Sequence, residues 1–272
     1  MRLIALTALV MVAFAANSIL NRLAVGAGLI EALPFALIRV VAGAVVLGLL
    51  ARARPTRANL LPALWLTLYL VGFSLAYVAL DAGIGALILF AGVQVTMLAG
   101  ALVGGDAVPV RRLIGAGVAL AGLAALLLPG TGAVPALLPA LAMAVAAVGW
   151  GLYSLAGRGA KDPLKATAAN FLLATPLVVL ACLPAEFGDF TGKGLALAVL
   201  SGAVTSGLGY ALWYAVLPQL GAARAAVAQL TVPIIAIVAG ALMLGESLSA
   251  GAMAASAVVL AGVALAMVPA RR

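Results

Sequence analysis

Apolar residues occupy long runs of this chain, and charge, proline or glycine marks the breaks between the runs. A helix needs about 20 mostly apolar residues to cross a bilayer. The pattern therefore predicts ten membrane-spanning helices, at roughly 3–25, 31–50, 60–80, 82–103, 110–128, 134–157, 165–183, 193–217, 221–244 and 249–268. Because these runs use most of the 272 residues, the connections are short, and we expect an all-α polytopic membrane protein.

The first run also resembles a secretory signal peptide. Arg2 precedes it, and residues 13–15 (AFA) mimic a small-residue cleavage site. Apolar residues continue past that site to Val25, however. The length of the run favours a retained first span over a removed leader.

Lysine and arginine are distributed unevenly over alternate loops. With the N-terminus in the cytoplasm, the outer loops hold only Arg22 and Lys193, and Arg39 lies within the second span. The remaining basic residues all fall on the inner side: Arg2, Arg52, Arg54, Arg57, Arg111, Arg112, Arg158, Lys161, Lys165, Arg224, Arg271 and Arg272. Since cytoplasmic loops carry an excess of Lys and Arg, the skew predicts a multi-pass protein of the cell inner (plasma) membrane with both termini in the cytoplasm.

One segment of the chain recurs. Residues 99–106 (AGALVGGD) reappear as residues 239–246 (AGALMLGE), 140 positions later, and the same displacement carries 120–122 (LAG) onto 260–262 (LAG). An acidic residue ends both longer segments, and the second match is in phase with the first. The spacing indicates an internal repeat of two five-helix halves.

An odd number of spans in each half places the two halves upside down relative to one another. The charges agree, since Asp106 falls on the predicted inner side and Glu246 on the outer side. We therefore expect two inverted five-helix repeats over residues 1–128 and 136–272, joined by a linker over 129–135. Inverted repeats are the architecture of secondary transporters, in which the substrate binds near the midplane between the halves.

The amino-acid composition excludes most kinds of catalytic site. The chain is 67% hydrophobic and 8% charged, with seven acidic residues, no His and a single Cys, Cys182. It lacks the ligands of a His-ligated metal site or a Cys cluster, and the base of a His-dependent triad. We expect no enzyme activity and no cofactor. The net charge of +8 is scattered singly between apolar runs, which does not fit a nucleic-acid surface.

Short motifs in both halves resemble the EamA family of the drug/metabolite transporter superfamily. Residues 150–153 (WGLY) resemble the turn in the first helix of each half in that family, and residues 14–17 (FAAN) are a degenerate version. Arg39 looks like the family's second element, and the pairs 105–106 (GD) and 245–246 (GE) look like its third. The resemblance implies a ten-span transporter. Among members of the family, the length and the aromatic residues are most similar to those of an aromatic amino acid exporter.

Aromatic residues, with one serine, repeat every four positions on two of the predicted spans. The third span carries Trp65, Tyr69, Phe73 and Tyr77, and the eighth carries Ser206, Tyr210 and Tyr214 with Trp213 beside them. Trp65 and Trp213, near predicted helix ends, fit an aromatic belt at the membrane interface. Tyr69, Phe73 and Tyr210 lie too deep for a belt, and they either line a cavity or pack.

Polar side chains inside a bilayer are costly and face the protein interior. Asn17, Gln94, Gln229 and Thr231 lie within predicted spans, where they either bond neighbouring helices or line a pathway. The candidate substrate-binding residues, polar and aromatic together, are Asn17, Arg39, Tyr77, Gln94, Trp150, Tyr153, Tyr210, Trp213 and Tyr214.

Arg39 is the only cation well inside a predicted span. An arginine at the centre of a spanning helix costs at least about 2.5–3.5 kcal/mol on insertion scales, so we expect it to have a partner. It either docks a substrate carboxylate or serves as a structural pair or carbonyl cap, and the family resemblance favours the structural role.

The sequence contains no obvious proton carrier, since no Asp or Glu lies near the middle of any predicted span and His is absent. This favours facilitated, gradient-driven export over tightly coupled proton antiport. We expect an exporter of small metabolites, chiefly aromatic or other apolar amino acids, that works by alternating access through a central cavity, with the substrate and the lipid bilayer as its partners. The alternatives are a broad drug exporter and a nucleotide-sugar or phosphorylated-metabolite carrier, although phosphate favours several cations and only Arg39 is available.

Overall fold

A computed structural model describes residues 1–104, 108–126, 136–183 and 188–267. Every regular element in these residues is a helix. The α-helices are α1 (Arg2–Asn21), α2 (Ala32–Leu50), α3 (Leu60–Ala76), α4 (Ala82–Val103), α5 (Val110–Leu126), α6 (Leu137–Gly157), α7 (Pro163–Cys182), α8 (Gly192–Leu200), α9 (Gly209–Gln229), α10 (Thr231–Leu244) and α11 (Ala250–Met267). Arg22–Gly26 continues α1 as a π-helix, Ser201–Leu208 joins α8 to α9 as a π-helix, and Arg57–Asn59 is a 3-10 turn before α3.

Most of these helices suit a bilayer. Within the part of the chain that the structure describes, seven helical stretches are long and apolar enough to cross one: Arg2–Gly26, Ala32–Leu50, Arg57–Ala76, Ala82–Val103, Leu137–Gly157, Pro163–Cys182 and Gly192–Leu220. Two shorter apolar helices, Thr231–Leu244 and Ala250–Ala266, accompany them in the described residues. Only 39–50% of each of the seven spans is buried inside the protein, so the remaining apolar surface is available to lipid. The prediction of an all-α polytopic membrane protein is confirmed.

Three contacts show which loops share an end of the bundle. Arg22, at the end of α1, pairs with Asp81 before α4 and with Glu246 after α10. Thr191, just before α8, donates its backbone N–H to the carbonyl oxygen of Leu29 in the α1–α2 loop at 2.9 Å. We call this end the Arg22 end. Since α8 begins there and α10 finishes there, the chain between them traverses the bundle twice.

One predicted boundary differs from the structure. The apolar runs predict a break between 217 and 221, but helical hydrogen bonding continues through Pro218 to Gln229 and is interrupted at Leu230. Alanine is the strongest helix former, and the segment after Pro218 is rich in it. The predicted Gly105–Asp106 motif and the predicted linker over 129–135 lie outside the described residues.

The main helix contacts follow a rule of five predicted spans. When each span is replaced by the one five places along the chain, returning to the first after the tenth, each main packed pair becomes another packed pair or itself. Helix α3 packs on α6 as α9 packs on α1, and α4 packs on α6 as α10 packs on α1. The pair α3 and α7 likewise corresponds to the π-helix Ser201–Leu208 packed on α2. Three further pairs, α2 with α7, α4 with α10 and α5 with α11, map onto themselves. A repeat of two five-helix units predicts this arrangement.

The helices that carry the matched Leu-Ala-Gly segments pack on each other. A β-carbon added to Gly122 on α5 would lie 2.8 Å from the backbone nitrogen of Val259 on α11. One added to Gly262 on α11 would lie 2.8 Å from the carbonyl oxygen of Gly115 on α5. Small residues allow membrane helices to approach closely enough for their backbones to pack. The helices α5 and α11, which carry the matched Leu-Ala-Gly segments, therefore form a tight pair.

Candidate functional site

The π-helix Ser201–Leu208 brings a run of small polar residues against α1 and α2. A β-carbon on Gly202 would clash with the carbonyl oxygen of Arg39, and one on Gly207 would lie 3.3 Å from the α-carbon of Gly43. These glycines let the two backbones cross in contact. A π-helical segment inside a longer helix is frequently found at a functional site.

Asn17 on α1 gathers this polar segment around one side chain. Its Oδ1 accepts hydrogen bonds from the hydroxyls of Ser201 (2.9 Å), Thr205 and Ser206 (3.3 Å). Its Nδ2 donates to the carbonyl oxygen of Thr205 at 3.2 Å and to the hydroxyl of Tyr210 at 3.4 Å. Asn17 is 1% exposed, so these bonds satisfy an amide that water cannot reach.

Arg39 lies on the other side of the same network. Its Nε donates to Ser206 Oγ at 2.8 Å, and its Nη2 donates to the hydroxyls of Tyr69 at 3.1 Å and Tyr210 at 2.6 Å. The guanidinium carbon also lies 5.3 Å from the ring centre of Tyr69 and 5.0 Å from that of Phe73, within cation–π range. Residues of α2, α3 and α9 are thus joined through one buried cation.

Aromatic rings pack directly beside this cation, with Trp150 of α6 at their centre. The ring of Trp150 lies 4.6 Å from that of Tyr210, 4.9 Å from Tyr69, 5.2 Å from Phe14 and 5.6 Å from Tyr153. All five side chains are buried. We call these five residues the Trp150 cluster, which draws on α1, α3, α6 and α9.

Three further candidate residues extend the cluster through ring contacts, two of them directly and Tyr77 through Phe73. Those contacts join Tyr77 to Phe73 (4.7 Å) and through it to Tyr69 (5.1 Å), Tyr214 to Tyr153 (5.0 Å), and Trp213 to Phe14 (5.6 Å). The expectation that Trp213 belongs to an interfacial belt is wrong, because its side chain is fully buried. The helix continues well past it, so it is not near a helix end.

Gln94 is the candidate that the structure does not join to the others. It lies on α4 with its amide nitrogen buried and without a hydrogen-bond partner among the described residues. Trp150 Nε1, Trp213 Nε1 and the hydroxyl of Tyr153 are also buried and unpartnered within the described chain. Such donors are costly in a dry interior. A polar ligand group that reached these donors would satisfy them.

Several residues of the network are not among the candidate substrate-binding residues predicted from the sequence. Phe14 was recognised only as part of a motif, and Ser201 and Thr205 gave no signal because serine and threonine are ordinary in membrane helices. Ser206 and Tyr69 were visible through their spacing of four from other polar or aromatic residues. That spacing was the usable signal.

A separate ionic cluster lies at the Arg22 end. Arg22 Nε lies 3.1 Å from Glu246 Oε1, and Arg22 Nη2 lies 3.3 Å from Asp81 Oδ1. Glu246 Oε2 accepts the backbone N–H of Ala82 at 2.9 Å. Burial raises the pKa of the Glu246 carboxyl, and the nearby charge of Asp81 raises it further. The hydrogen bonds from Ala82 and Arg22 lower it, but the net shift is upward. We call Arg22, Asp81 and Glu246 the ionic cluster, which joins α1 and the α3–α4 turn to the end of α10.

Comparison with known proteins supports a transporter. Residues 137–268 match the model of the EamA-like transporter family. A Pseudomonas aeruginosa protein described as uncharacterized is 46% identical over 275 aligned residues, covering 98% of this chain and 95% of the relative. A solved crystal structure is 22% identical with a TM-score of 0.67, covering 98% of this chain and 99% of that chain. At that identity the likeness concerns the fold alone.

Proposed function

The chain belongs to the EamA-like transporter family, and we propose that it exports small metabolites, chiefly aromatic or other apolar amino acids. Membership makes it a membrane transporter of small molecules. The proposal adds the substrate class, the direction of transport and the location, which is the cell inner membrane with both termini in the cytoplasm. The charge distribution over the loops supports that orientation.

The Trp150 cluster is the observation that carries the substrate class. Aromatic faces stack on aromatic and apolar groups, and the best arrangements contribute about 0.5–1.5 kcal/mol per ring pair beyond simple burial. The polar network of Asn17 and Arg39 lies against the same rings through Tyr69 and Tyr210. An amino acid needs both elements, an apolar surface for its side chain and polar groups for its charged end.

The proposed substrate-binding residues are those selected from the sequence, with different strengths of support. Trp150, Tyr153 and Tyr210 belong to the Trp150 cluster. Direct contacts with its members support Asn17, Arg39, Trp213 and Tyr214. Tyr77 reaches the cluster through Phe73. Gln94 is retained on its unpartnered buried amide nitrogen. Phe14 and Tyr69 join the proposal because both touch Trp150.

Alternating access is the proposed mechanism, with the halves over residues 1–128 and 136–272 rocking about the site. The paired contacts between helices support two equivalent units, and inverted repeats transport in this way. The ionic cluster supports an outward-closed state, since its bonds join residues of both proposed halves. Breaking those bonds would open the site to the outside.

Efflux from proteoliposomes tests the proposal. Vesicles containing the purified protein would be loaded with phenylalanine, tryptophan, leucine, glycine, a nucleotide sugar or a cationic dye, with protein-free vesicles as the control. We expect tryptophan and phenylalanine to leave faster than leucine, and glycine and the nucleotide sugar to remain at the protein-free rate. Selective efflux of the nucleotide sugar or the dye would contradict the proposed substrate class.

A further inference from the structure

Arg39 is a cationic side chain that solvent does not reach. Its side chain is 0% exposed on α2. The three groups that accept its hydrogen bonds are the hydroxyls of Ser206, Tyr69 and Tyr210. Neutral hydroxyls orient a guanidinium but supply no opposite charge. The bonds therefore fix the position of the cation and leave its charge uncompensated.

No carboxylate of the described residues pairs with Arg39. The ion pairs in that part of the chain join Arg22 to Asp81, Arg22 to Glu246 and Lys165 to Asp162. Glu31 precedes α2 and stands about 12 Å from Arg39 along the helix axis at 1.5 Å per residue. An uncompensated buried charge is far costlier than a paired one. Among the described residues the partners of Arg39 are hydroxyls, and neither an ion pair nor a carbonyl cap is found for it there.

One arm of the guanidinium is free to bind. Nη1 is buried and has no hydrogen-bond partner among the described residues, whereas Nε and Nη2 are both engaged. The rings of Tyr69 and Phe73 lie beside the group, and Trp150 lies 4.9 Å from Tyr69. A charged donor without a partner among the described residues thus adjoins the aromatic surface that the proposed substrate would contact.

We propose that Arg39 is the docking group for a carboxylate of the substrate, so that the transported class is small carboxylates with an aromatic or apolar tail. This deepens the proposed function and rests on it. The bound carboxylate would supply the counter-charge that the described protein lacks and would accept from Nη1. Amines with the same tail but no carboxylate would leave the cation uncompensated and bring a second positive charge beside it.

A pair of ligands with one tail and opposite charges tests this in the unaltered protein. 3-Phenylpropionate and phenethylamine share a phenylethyl tail, and phenylalanine carries both charged groups. We expect phenylalanine and 3-phenylpropionate to bind, by calorimetry and by proteoliposome flux, at least about tenfold better than phenethylamine, the size of one charge-assisted hydrogen bond. Equal binding of the acid and the amine would overturn the docking role and leave the exporter proposal standing. Flux of none of the three would contradict both.

Variants of Arg39 separate docking from structure. Arg39→Gln removes the charge, Arg39→Lys keeps it without the planar fork, and Arg54→Gln removes an exposed cation as the matched control. We expect the preference for acid over amine to be lost in Arg39→Gln, weakened in Arg39→Lys and unchanged in Arg54→Gln. Thermal unfolding shows which variants are folded. Folded Arg39→Lys replaces Arg39→Gln as the test if the glutamine variant does not fold. A full preference for the acid in Arg39→Lys would show that the charge suffices without the planar guanidinium. Binding of the acid and the amine to the unaltered protein then decides whether Arg39 docks a carboxylate.

Discussion

Arg39 and Tyr210 are 171 positions apart in the chain, yet a 2.6 Å hydrogen bond joins them in the protein interior. The bond runs from α2 in the first proposed half to α9 in the second. The same hydroxyl of Tyr210 donates to Tyr69 at 3.0 Å and receives a longer bond from Asn17. One oxygen atom therefore connects three helices of the first half to one helix of the second.

Removing that oxygen while keeping the ring tests its importance. We expect Tyr210→Phe to lower the free energy of unfolding by about 2 kcal/mol, because it removes a hydrogen bond to a charged group. Tyr214→Phe is the matched control, since its hydroxyl donates only to the neutral carbonyl of Tyr153 at 2.9 Å and costs about 1 kcal/mol. Denaturant titration in detergent measures both. Equal stabilities would mean that Tyr210 does not hold Arg39 in place.

The ionic cluster predicts a second measurable change. In Glu246→Gln the bond to Arg22 loses its charge, so we expect the Arg22 end to open more often. A cysteine introduced as Ser18→Cys, in a Cys182→Ala background, reports on that opening through an impermeant maleimide added outside. We expect labelling several-fold faster in Glu246→Gln than in the same background with Glu246 intact. Asp162→Asn, which breaks an exposed pair with Lys165, is the control and should change nothing.

The same reporter predicts a dependence on pH. Burial raises the pKa of Glu246 above its usual 4.5, so its carboxyl takes up a proton before an exposed glutamate does as the pH falls. The groups facing it are Arg22 from α1, Asp81 and the Ala82 amide at the start of α4, and Tyr77 from α3. Protonation removes the charge that pairs with Arg22. Maleimide reacts with the thiolate, so labelling slows in every variant as the pH falls, and Glu246→Gln supplies that baseline. Relative to this baseline, labelling with Glu246 present should rise as the pH falls below neutral. A ratio of the two rates that does not change with pH would refute the link.

The orientation in the membrane has its own test. Residues at the Arg22 end should label only from outside and those at the opposite end only from the cytoplasm, because of the uneven Lys and Arg distribution. Single cysteines at Gly192 and at Thr56, again in the Cys182→Ala background, report the two ends. External labelling of the Thr56→Cys variant in intact cells would reverse the assigned topology.

Coupling to protons is a separate question. Each described carboxylate lies near or beyond a helix end, so we expect flux to be slowed but not abolished when the pH gradient is collapsed and the substrate gradient is held. Proteoliposomes with a protonophore measure this directly. Complete loss of flux would assign proton transfer to a carboxylate such as Asp81 or Glu246 and would exclude a simple facilitator.

The spans were predictable because they depend on local composition. Residues 82–103, for example, were predicted and found as one helix, bounded by Asp81 and a glycine turn. The partners of Arg39 were not predictable in the same way. Tyr210 and Ser206 meet it through a π-helical segment whose glycines allow close packing, and apolar periodicity carries no information on such crossings. The prediction that Trp213 belongs to an interfacial belt was wrong for a related reason. Its distance from the helix end depends on the continuation of α9 past Pro218, which the apolar pattern did not indicate.

Trp150 allows the most direct test of the central claim, that substrates bind against the aromatic rings. Efflux of tryptophan, phenylalanine and leucine would be compared between the unaltered protein, Trp150→Phe and Trp150→Ala, together with the melting temperature of each. We predict that Trp150→Ala slows tryptophan and phenylalanine much more than leucine while Trp150→Phe stays intermediate. Because the ring is buried, both variants should melt at lower temperatures, Trp150→Ala the more so, and the selectivity among substrates is the deciding result. An equal loss for all three substrates would show that the ring only fills space and would contradict the proposed site.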